Sequence, residues 1–336
     1  MRFGVYGTKH AHATAKILTL KNHANVEIAG VFEPDPIQSA LVQKTDKNYQ
    51  GLYFYDSAQE MLNDPTIIAI ASEGLNKESL NFTEAIIQAG KHCWYDKPAG
   101  DDGQQFIRIM DLAKEKNLLI QMGYMFRYHE GFIKIADWVR SGFLGDIFSV
   151  RAHMSTHIPI CRNEEDTNYN NQDTIAFHKG GIFYDLGGHM LDQICWILGR
   201  PDKITSFLRN DHSTIPQMVD NTLCILEYNK ALAFIDIAAM EIRPMARRFE
   251  VYGSKGSAIL VEPFEPSNVI RLCLAEAASG FNSGVNLVEL SHQTRSHLYN
   301  EGLETFIRTI NGEQIAFRPQ HHELLVQETL LRCIST

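Results

Sequence analysis

Two short stretches carry the side chains best suited to chemistry. The first is Tyr95-Asp96-Lys97-Pro98, which follows an apolar run. At the carboxyl end of a strand in an open α/β sheet, a lysine faces the crevice where ligands bind. There its ammonium can stabilise an oxygen that gains negative charge. Pro98 restricts Lys97 to extended backbone and permits a cis peptide before it. The second stretch is Gly180-Gly181-Ile182-Phe183-Tyr184-Asp185-Leu186-Gly187-Gly188-His189-Met190-Leu191-Asp192. Asp185 and His189 are four residues apart, so on a helix they share one face, with Asp192 near it. A carboxylate that orients an imidazole is an arrangement used in general acid–base catalysis. Plainer readings stand beside these: a surface lysine in a turn, and a His–Asp pair satisfied within the core.

A third stretch, Gly7-Thr8-Lys9-His10-Ala11-His12, follows the first apolar run. A glycine turn leading from a strand into a helix is the geometry that binds pyrophosphate, because backbone N–H groups and the helix dipole both favour an anion. The pattern predicts a helix from about His10. Gly7 fits the first position of G-x-G-x-x-G; Lys9 and His12 replace the second and third glycines. A ligand-free strand–turn–helix remains the alternative. The second apolar run ends at Glu33, 26 residues after Gly7. A carboxylate at that place can accept hydrogen bonds from the adenosine ribose, and it would repel a 2′-phosphate. No arginine follows closely, so the expected cofactor is NAD rather than NADP, unless Glu33 is simply a solvated strand end.

These residues need a frame. Apolar runs at Arg2–Tyr6, 26–32, 67–71, His92–Tyr95 and 118–122 alternate with helical patterns at 11–20, 36–43, 77–89 and 103–116. Such alternation predicts βαβ units and a parallel, Rossmann-type sheet over residues 1–122. The rhythm then changes. Residues 146–155 read as a strand and 183–198 as a helix. Strand patterns follow at Lys203–Arg209, 222–228, Leu232–Ala238, 248–252 and 257–261, then helices at 301–310 and 322–334. Strands in succession predict an antiparallel sheet over a second domain, 123–336, whose final helix can return to the first. The polar stretch 160–179 reads as a loop over the site or an ordinary surface loop.

Bulk properties remove other classes. The chain has 336 residues, enough for two domains, with a net charge of −9 and no Lys/Arg-rich run. It lacks the basic footprint of a nucleic-acid binder. The six cysteines are scattered without C-x-x-C spacing, which disfavours a zinc site or disulfide framework. His10, His12, His153, His157, His178 and His189 show no metal-ligand spacing, so no metal is expected. With no apolar leader and no run long enough to span a bilayer, the expectation is a cytoplasmic protein without a membrane partner.

Taken in order, the motifs resemble the Gfo/Idh/MocA oxidoreductases, named for glucose–fructose oxidoreductase and inositol dehydrogenase. The resemblance runs from the glycine turn through Ala89-Gly90-Lys91-His92 and Asp96-Lys97-Pro98, similar to the family's E-K-P. It continues through Phe126-Arg127, Gly142-Phe143-Leu144-Gly145-Asp146-Ile147, the Gly180–Asp192 stretch and Phe249–Ser257. Departures are Ser72-Glu73-Gly74-Leu75-Asn76-Lys77 in place of T-P-x-x-x-H, and Asp96 for glutamate. The resemblance implies an α/β fold: a Rossmann domain followed by a domain with a large open antiparallel sheet, often the interface of a homodimer or homotetramer. It implies Lys97, Asp185 and His189 as a catalytic trio. It places Ser72, Glu73, Asp96, Lys97 and Pro98 near the cofactor, with Gly7, Thr8, Lys9, His10, His12 and Glu33. Its typical substrates are sugars, inositols and related polyols, oxidised at one hydroxyl. Tyr124, Arg127, His157, Asp173 and His178 are further candidates for substrate contact. Two alternatives stand: an NAD-bound lyase or glycosidase that oxidises transiently, and a non-catalytic nucleotide-binding regulator.

Overall fold

The structure, a computed structural model, describes residues 1–158, 175–265 and 268–335. The chain divides into two compact units. One comprises Met1–Met125 with Arg295–Leu324, the other Phe126–Thr294 with Leu325–Thr336.

The first unit begins with β1 (Arg2–Tyr6), α1 (Ala13–Asn22), β2 (Glu27–Phe32), α2 (Pro36–Thr45) and α3 (Ala58–Asn63). It continues with β3 (Ala69–Ser72), α4 (Ser79–Gln88), β4 (His92–Tyr95), α5 (Gly103–Glu115) and β5 (Ile120–Met122). The strands form one parallel sheet in the order β2-β1-β3-β4-β5. The order reverses between β1 and β3, so their carboxyl ends flank the crevice where such sheets bind ligands. β3 is buried throughout, as a strand covered on both faces must be. Local chemistry sets the helix starts. Asp35 accepts from the N–H groups of Ile37 and Gln38, with Pro36 at the first helical position; Asp102 accepts from Gln105 N–H. Both are side-chain caps for otherwise orphaned donors. The helix Arg295–Ile310 belongs to this unit: Phe306 stacks 5.9 Å from Phe3, and Gln121 Nε2 donates to Gly302 O at 2.8 Å.

The second unit contains α6 (Glu130–Arg140), β6 (Ile147–His153), α7 (Gly181–Leu198), β7 (Lys203–Arg209), β8 (Asn221–Glu227) and β9 (Leu232–Ala238). β10 (Arg248–Gly253), β11 (Gly256–Leu260), β12 (Val269–Leu274) and β13 (Gly284–Glu289) complete the sheet. Its order is β13-β12-β11-β10-β6-β9-β8-β7, antiparallel except for the parallel β6–β9 pair. Alternation is regular: in β8, Thr222, Cys224 and Leu226 are buried and their neighbours are not. The buried face meets α7, whose Ile182, Phe183 and Ile194 are fully buried. By register, the opposite face carries Phe207, Leu223, Ile225, Leu232, Phe234, Val285 and Leu287.

The expected α/β architecture is present, a parallel Rossmann-type sheet followed by a large, mostly antiparallel one. Among the described residues, the patterns read from the sequence do not include α3, α6, β12, β13 or the short helix Met125–Tyr128. α3 has only six residues, and β13 is exposed along most of its length, so neither shows a clear apolar rhythm. α1 begins at Ala13, not near His10. His10 N–H donates to Glu73 O at 3.0 Å, which holds the chain outside the helix until His12.

The β7–β8 connection turns on one buried carboxylate. Asp220 accepts from the N–H groups of Asp211, His212 and Ser213 at 2.8, 3.0 and 2.6 Å. Hydrogen bonds to a buried charge are worth more than neutral ones, and their loss strands the donors. Asp220→Ala should lower stability by about 2–4 kcal/mol, read as a shift of the urea midpoint; an unchanged midpoint would show that the turn holds without it.

Candidate functional site

In the first unit the turn after β1 is glycine-dependent. Gly7 has φ +87°, and a Cβ there would lie 2.7 Å from Gly74 N. A side chain is excluded by both backbone conformation and space. Glu33, buried at the end of β2, clamps the turn. Its Oε2 accepts from Thr8 N at 2.7 Å and Thr8 Oγ1 at 2.8 Å, and its Oε1 accepts from Asp35 N at 3.0 Å. Its Oε1, with one bond, keeps further acceptor capacity. Lys9, at the second glycine position, lies 2.9 Å from Asp35 Oδ2 and 4.0 Å from Glu78 Oε1. Ser72 is buried and accepts from Thr83 Oγ1 at 3.1 Å.

Beneath the turn lies a network that sequence reasoning did not find. Lys16, fully buried on α1, places Nζ 3.3 Å from Glu73 Oε1 and 3.3 Å from Asp96 Oδ2, at the ends of β3 and β4. The same ammonium lies 3.8 Å from the centre of the Trp94 ring, a favourable cation–π distance. His12 Nδ1 is 3.1 Å from Asp96 Oδ1. His10 Nδ1 is 3.8 Å from carboxylate oxygens of both Glu73 and Asp96. Burial pushes the Glu73 carboxyl up, against the pull of Lys16. Burial acts on Asp96 in the same direction, but Lys16, His10 and His12 hold it well below the usual carboxylate range. A signal was available: Ala13, Lys16, Ile17 and Leu20 form one helical stripe, and Lys16 takes an apolar place in it.

Asp96 Oδ1 accepts from Lys97 N–H at 2.8 Å, so the network fixes the backbone of Lys97, itself buried. The Lys97–Pro98 peptide is cis. Tyr124 is also buried in this unit.

In the second unit, Asp185, His189 and Asp192 lie on α7 as the spacing predicted. The helix entry requires glycine: Gly181 has φ +45°, and a Cβ there would meet Val219 O at 2.3 Å. His189 is buried, with its ring 5.3 Å from Phe126 in an edge-on contact. Asp185 is partly exposed. Asp192 is paired with buried Arg127, whose Nε and Nη2 reach its Oδ1 at 3.0 and 2.8 Å. His178 stacks on Tyr184 at 4.3 Å. His157 is exposed and bridges to Met240. Asp173, and most of the loop expected over 160–179, lie outside the described residues.

Removing the one ammonium from the network leaves two buried carboxylates facing each other. Lys16→Met should cost about 3–5 kcal/mol, and Lys16→Met/Glu73→Gln should regain part of it, because breaking a buried pair hurts more than replacing it. Urea unfolding measures both; equal losses in the single and double variants would refute the charge argument.

Two family models match. One, described as "Oxidoreductase family, NAD-binding Rossmann fold", covers residues 1–124; the other, "GFO/IDH/MocA C-terminal domain", covers 132–259. Among curated relatives, the uncharacterised oxidoreductase YhhX of Escherichia coli is 25% identical over 63% of this chain and 58% of its own length. The Bacillus subtilis scyllo-inositol 2-dehydrogenase (NADP(+)) IolW is 23% identical over 70% of this chain and 63% of its own. The matches thus span less than two thirds of both relatives. Among solved structures, UDP-N-acetylglucosamine 3-dehydrogenase GnnA from Acidithiobacillus ferrooxidans superposes with a TM-score of 0.75 at 19% identity, covering 99% of this chain and 96% of that one. At that identity the likeness concerns the fold. With both domain models matched in order, the chain belongs to the Gfo/Idh/MocA oxidoreductase family, and its first unit is an NAD-binding Rossmann fold.

Proposed function

We propose that the protein is a dehydrogenase that oxidises a secondary hydroxyl of a sugar, inositol or related polyol, with NAD preferred over NADP. The observation that carries this is Lys97: a buried lysine at the carboxyl end of β4, in an NAD-binding fold, with its backbone fixed by Asp96. A curated relative bearing an inositol dehydrogenase name supports the substrate class.

The cofactor fits this unit on its own geometry. The Gly7 turn is a cradle that a Cβ would fill, and α1 follows it. Bound NAD would supply the hydride acceptor. Gly7, Thr8, Lys9, His10 and His12 would surround its pyrophosphate, and Glu33 its adenosine ribose, with Ser72, Glu73, Asp96 and Pro98 around the same crevice. Glu33 and Asp35 put negative charge where a 2′-phosphate would sit, hence the preference for NAD.

In the proposed reaction His189 accepts the hydroxyl proton. Lys97 donates a hydrogen bond to the same oxygen and stabilises its growing charge. Asp185 orients the imidazole. Tyr124, Arg127, His157, Asp173 and His178 are proposed contacts for the other hydroxyls, and Arg127 is also paired with Asp192 on α7. The open face of the large sheet, with exposed Phe207, Leu232, Val285 and Leu287, is proposed as the surface that pairs two copies of the chain, since monomers rarely leave such a patch bare.

Absorbance at 340 nm, with NAD or NADP and a panel of inositols, sugars and sugar acids, tests the reaction. Reduction should occur with one substrate class and favour NAD. His189→Ala should lower turnover by roughly 10²–10⁴-fold while dinucleotide binding persists, and Lys97→Ala should also abolish most turnover. Tight binding without reduction by any substrate would turn the assignment toward a bound-cofactor lyase. Sedimentation tests the interface: Phe207→Glu/Leu287→Glu should shift an oligomer to monomer, and a wild-type monomer would overturn that surface.

A further inference from the structure

We propose that His153 is a positioning residue for the substrate side of the second unit, and that it acts as an imidazolium: its two N–H groups tie β6 to the segment after β9 and so hold His157 in place. The part that concerns substrate rests on the proposed function, in which His157 contacts a hydroxyl. The clamp itself rests only on the hydrogen bonds around His153.

His153 is the last residue of β6. Its Nδ1 lies 2.5 Å from Asp236 Oδ2 on β9, and its Nε2 lies 2.8 Å from Glu241 Oε2. An ionised carboxylate only accepts. A neutral imidazole, with one N–H, satisfies one of these partners and leaves its bare nitrogen against the other. The imidazolium satisfies both, with two charge-assisted bonds. Asp236 draws the imidazole above its usual value, burial opposes this, and Glu241 adds to the pull of Asp236. Burial pushes the Glu241 carboxyl up, but the Ala246 N–H and His153 hold it below its usual value. The other charges around the ring are Arg248, opposite His153 in the β6–β10 register, and Arg151 and Glu250, which line the same cavity. Arg248 is 3.6 Å from Glu262, and Arg151 stands opposite Glu250, so each nearby cation faces a carboxylate of its own.

The clamp acts on residues 156–158. Glu241 Oε1 also accepts from Ala246 N–H at 2.7 Å, so one carboxylate joins His153 to the connection between β9 and β10. Backbone bonds run from there to the chain beyond β6. Thr156 N–H donates to Ala238 O at 2.9 Å, Ile158 N–H to Ala239 O at 2.7 Å, and Glu241 N–H to Thr156 O at 3.1 Å. His157 lies within this ladder, bridged to Met240. Loss of a proton from His153 turns one of its contacts repulsive and loosens the ladder at Glu241. The imidazole is raised in the folded state, so its stabilisation is complete below the unfolded value of about 6.5 and is lost as pH rises through the folded value. Its side chain is 15% exposed, which lets the proton exchange with solvent.

Three measurements on the full-length protein test this. With ¹⁵N-labelled histidine, NMR should show both nitrogens of His153 protonated at about pH 6.5, and a titration midpoint above that value. Hydrogen exchange, corrected for the intrinsic effect of pH, should show the Glu241 and Ile158 amides losing protection by roughly tenfold or more as pH passes the midpoint. At pH near 7, with the polyol that reduces NAD in the assay above, His153→Gln should raise KM by roughly two- to tenfold and leave kcat nearly unchanged. His153→Arg, a permanent cation with several donors, should restore both protection and KM. If His153→Gln fails to fold, Glu241→Gln serves instead: an amide there accepts a neutral imidazole, so protection should no longer depend on pH. A singly protonated His153 at about pH 6.5 would overturn the inference. So would protection at Glu241 and Ile158 that ignores both pH and His153→Gln. Protection that falls with no change in KM would overturn the positioning of His157. If no polyol reduces NAD, it is the proposed function that falls, and the NMR and exchange readings still decide the clamp.

Discussion

A single buried ammonium organises the nucleotide-binding unit. Lys16 Nζ touches the carboxylates that end β3 and β4 and the ring of Trp94, and it does so from the first helix. The helix after β1 and the ends of β3 and β4 therefore meet at one charge. Everything above it inherits that geometry. Asp96 turns its other oxygen to Lys97 N–H and His12. The Glu73 carbonyl takes His10 N–H, and the Glu73 N–H donates to Tyr6 O. A buried ion pair is weak evidence for stability, because desolvation offsets most of the attraction. Its value here is positional: it ties the ends of β3 and β4 to the first helix.

The second unit repeats the device with different residues. Arg127 and Asp192, both buried, join the short helix Met125–Tyr128 to α7, three residues from His189. In each unit a proposed catalytic side chain thus neighbours a buried charge pair. Lys97 follows Asp96, and His189 precedes Asp192 by about one helical turn. Such pairs are costly to distort, since a small displacement leaves a charge unpaired at low dielectric. They hold the neighbouring backbone in place.

Much of this was legible in the sequence. The βαβ alternation gave the parallel sheet, because strands covered on both faces read as unbroken apolar runs. The spacing of Asp185, His189 and Asp192 put them on one helix. Gly7 marked the turn. The hidden parts share a physical cause: they depend on partners distant in sequence. Lys16 reads as an ordinary helical lysine unless its place in the apolar stripe is noticed, and its partners lie 57 and 80 residues away. Glu33 read as free to face a ribose, yet the structure shows it also clamping Thr8. The helix start was set too early because the competing bond, His10 N–H to Glu73 O, spans the sheet. Short or exposed elements such as α3 and β13 lack the apolar periodicity on which such readings depend.

Lys9 and His12 stand where the usual turn has its second and third glycines. A backbone amide donates whatever the pH, and it needs a glycine only so that the anion can come close. At those positions the side chains pair with carboxylates instead, Lys9 with Asp35 and His12 with Asp96. A bare carboxylate at the depth of Asp96 would be unstable. Lys16 stabilises it, and Glu73, whose carboxyl burial pushes upward, keeps the cluster close to neutral when protonated. On this argument Lys16, Glu73 and the two histidines are interdependent. Placing glycine at position 12 alone would leave Asp96 without its outer partner.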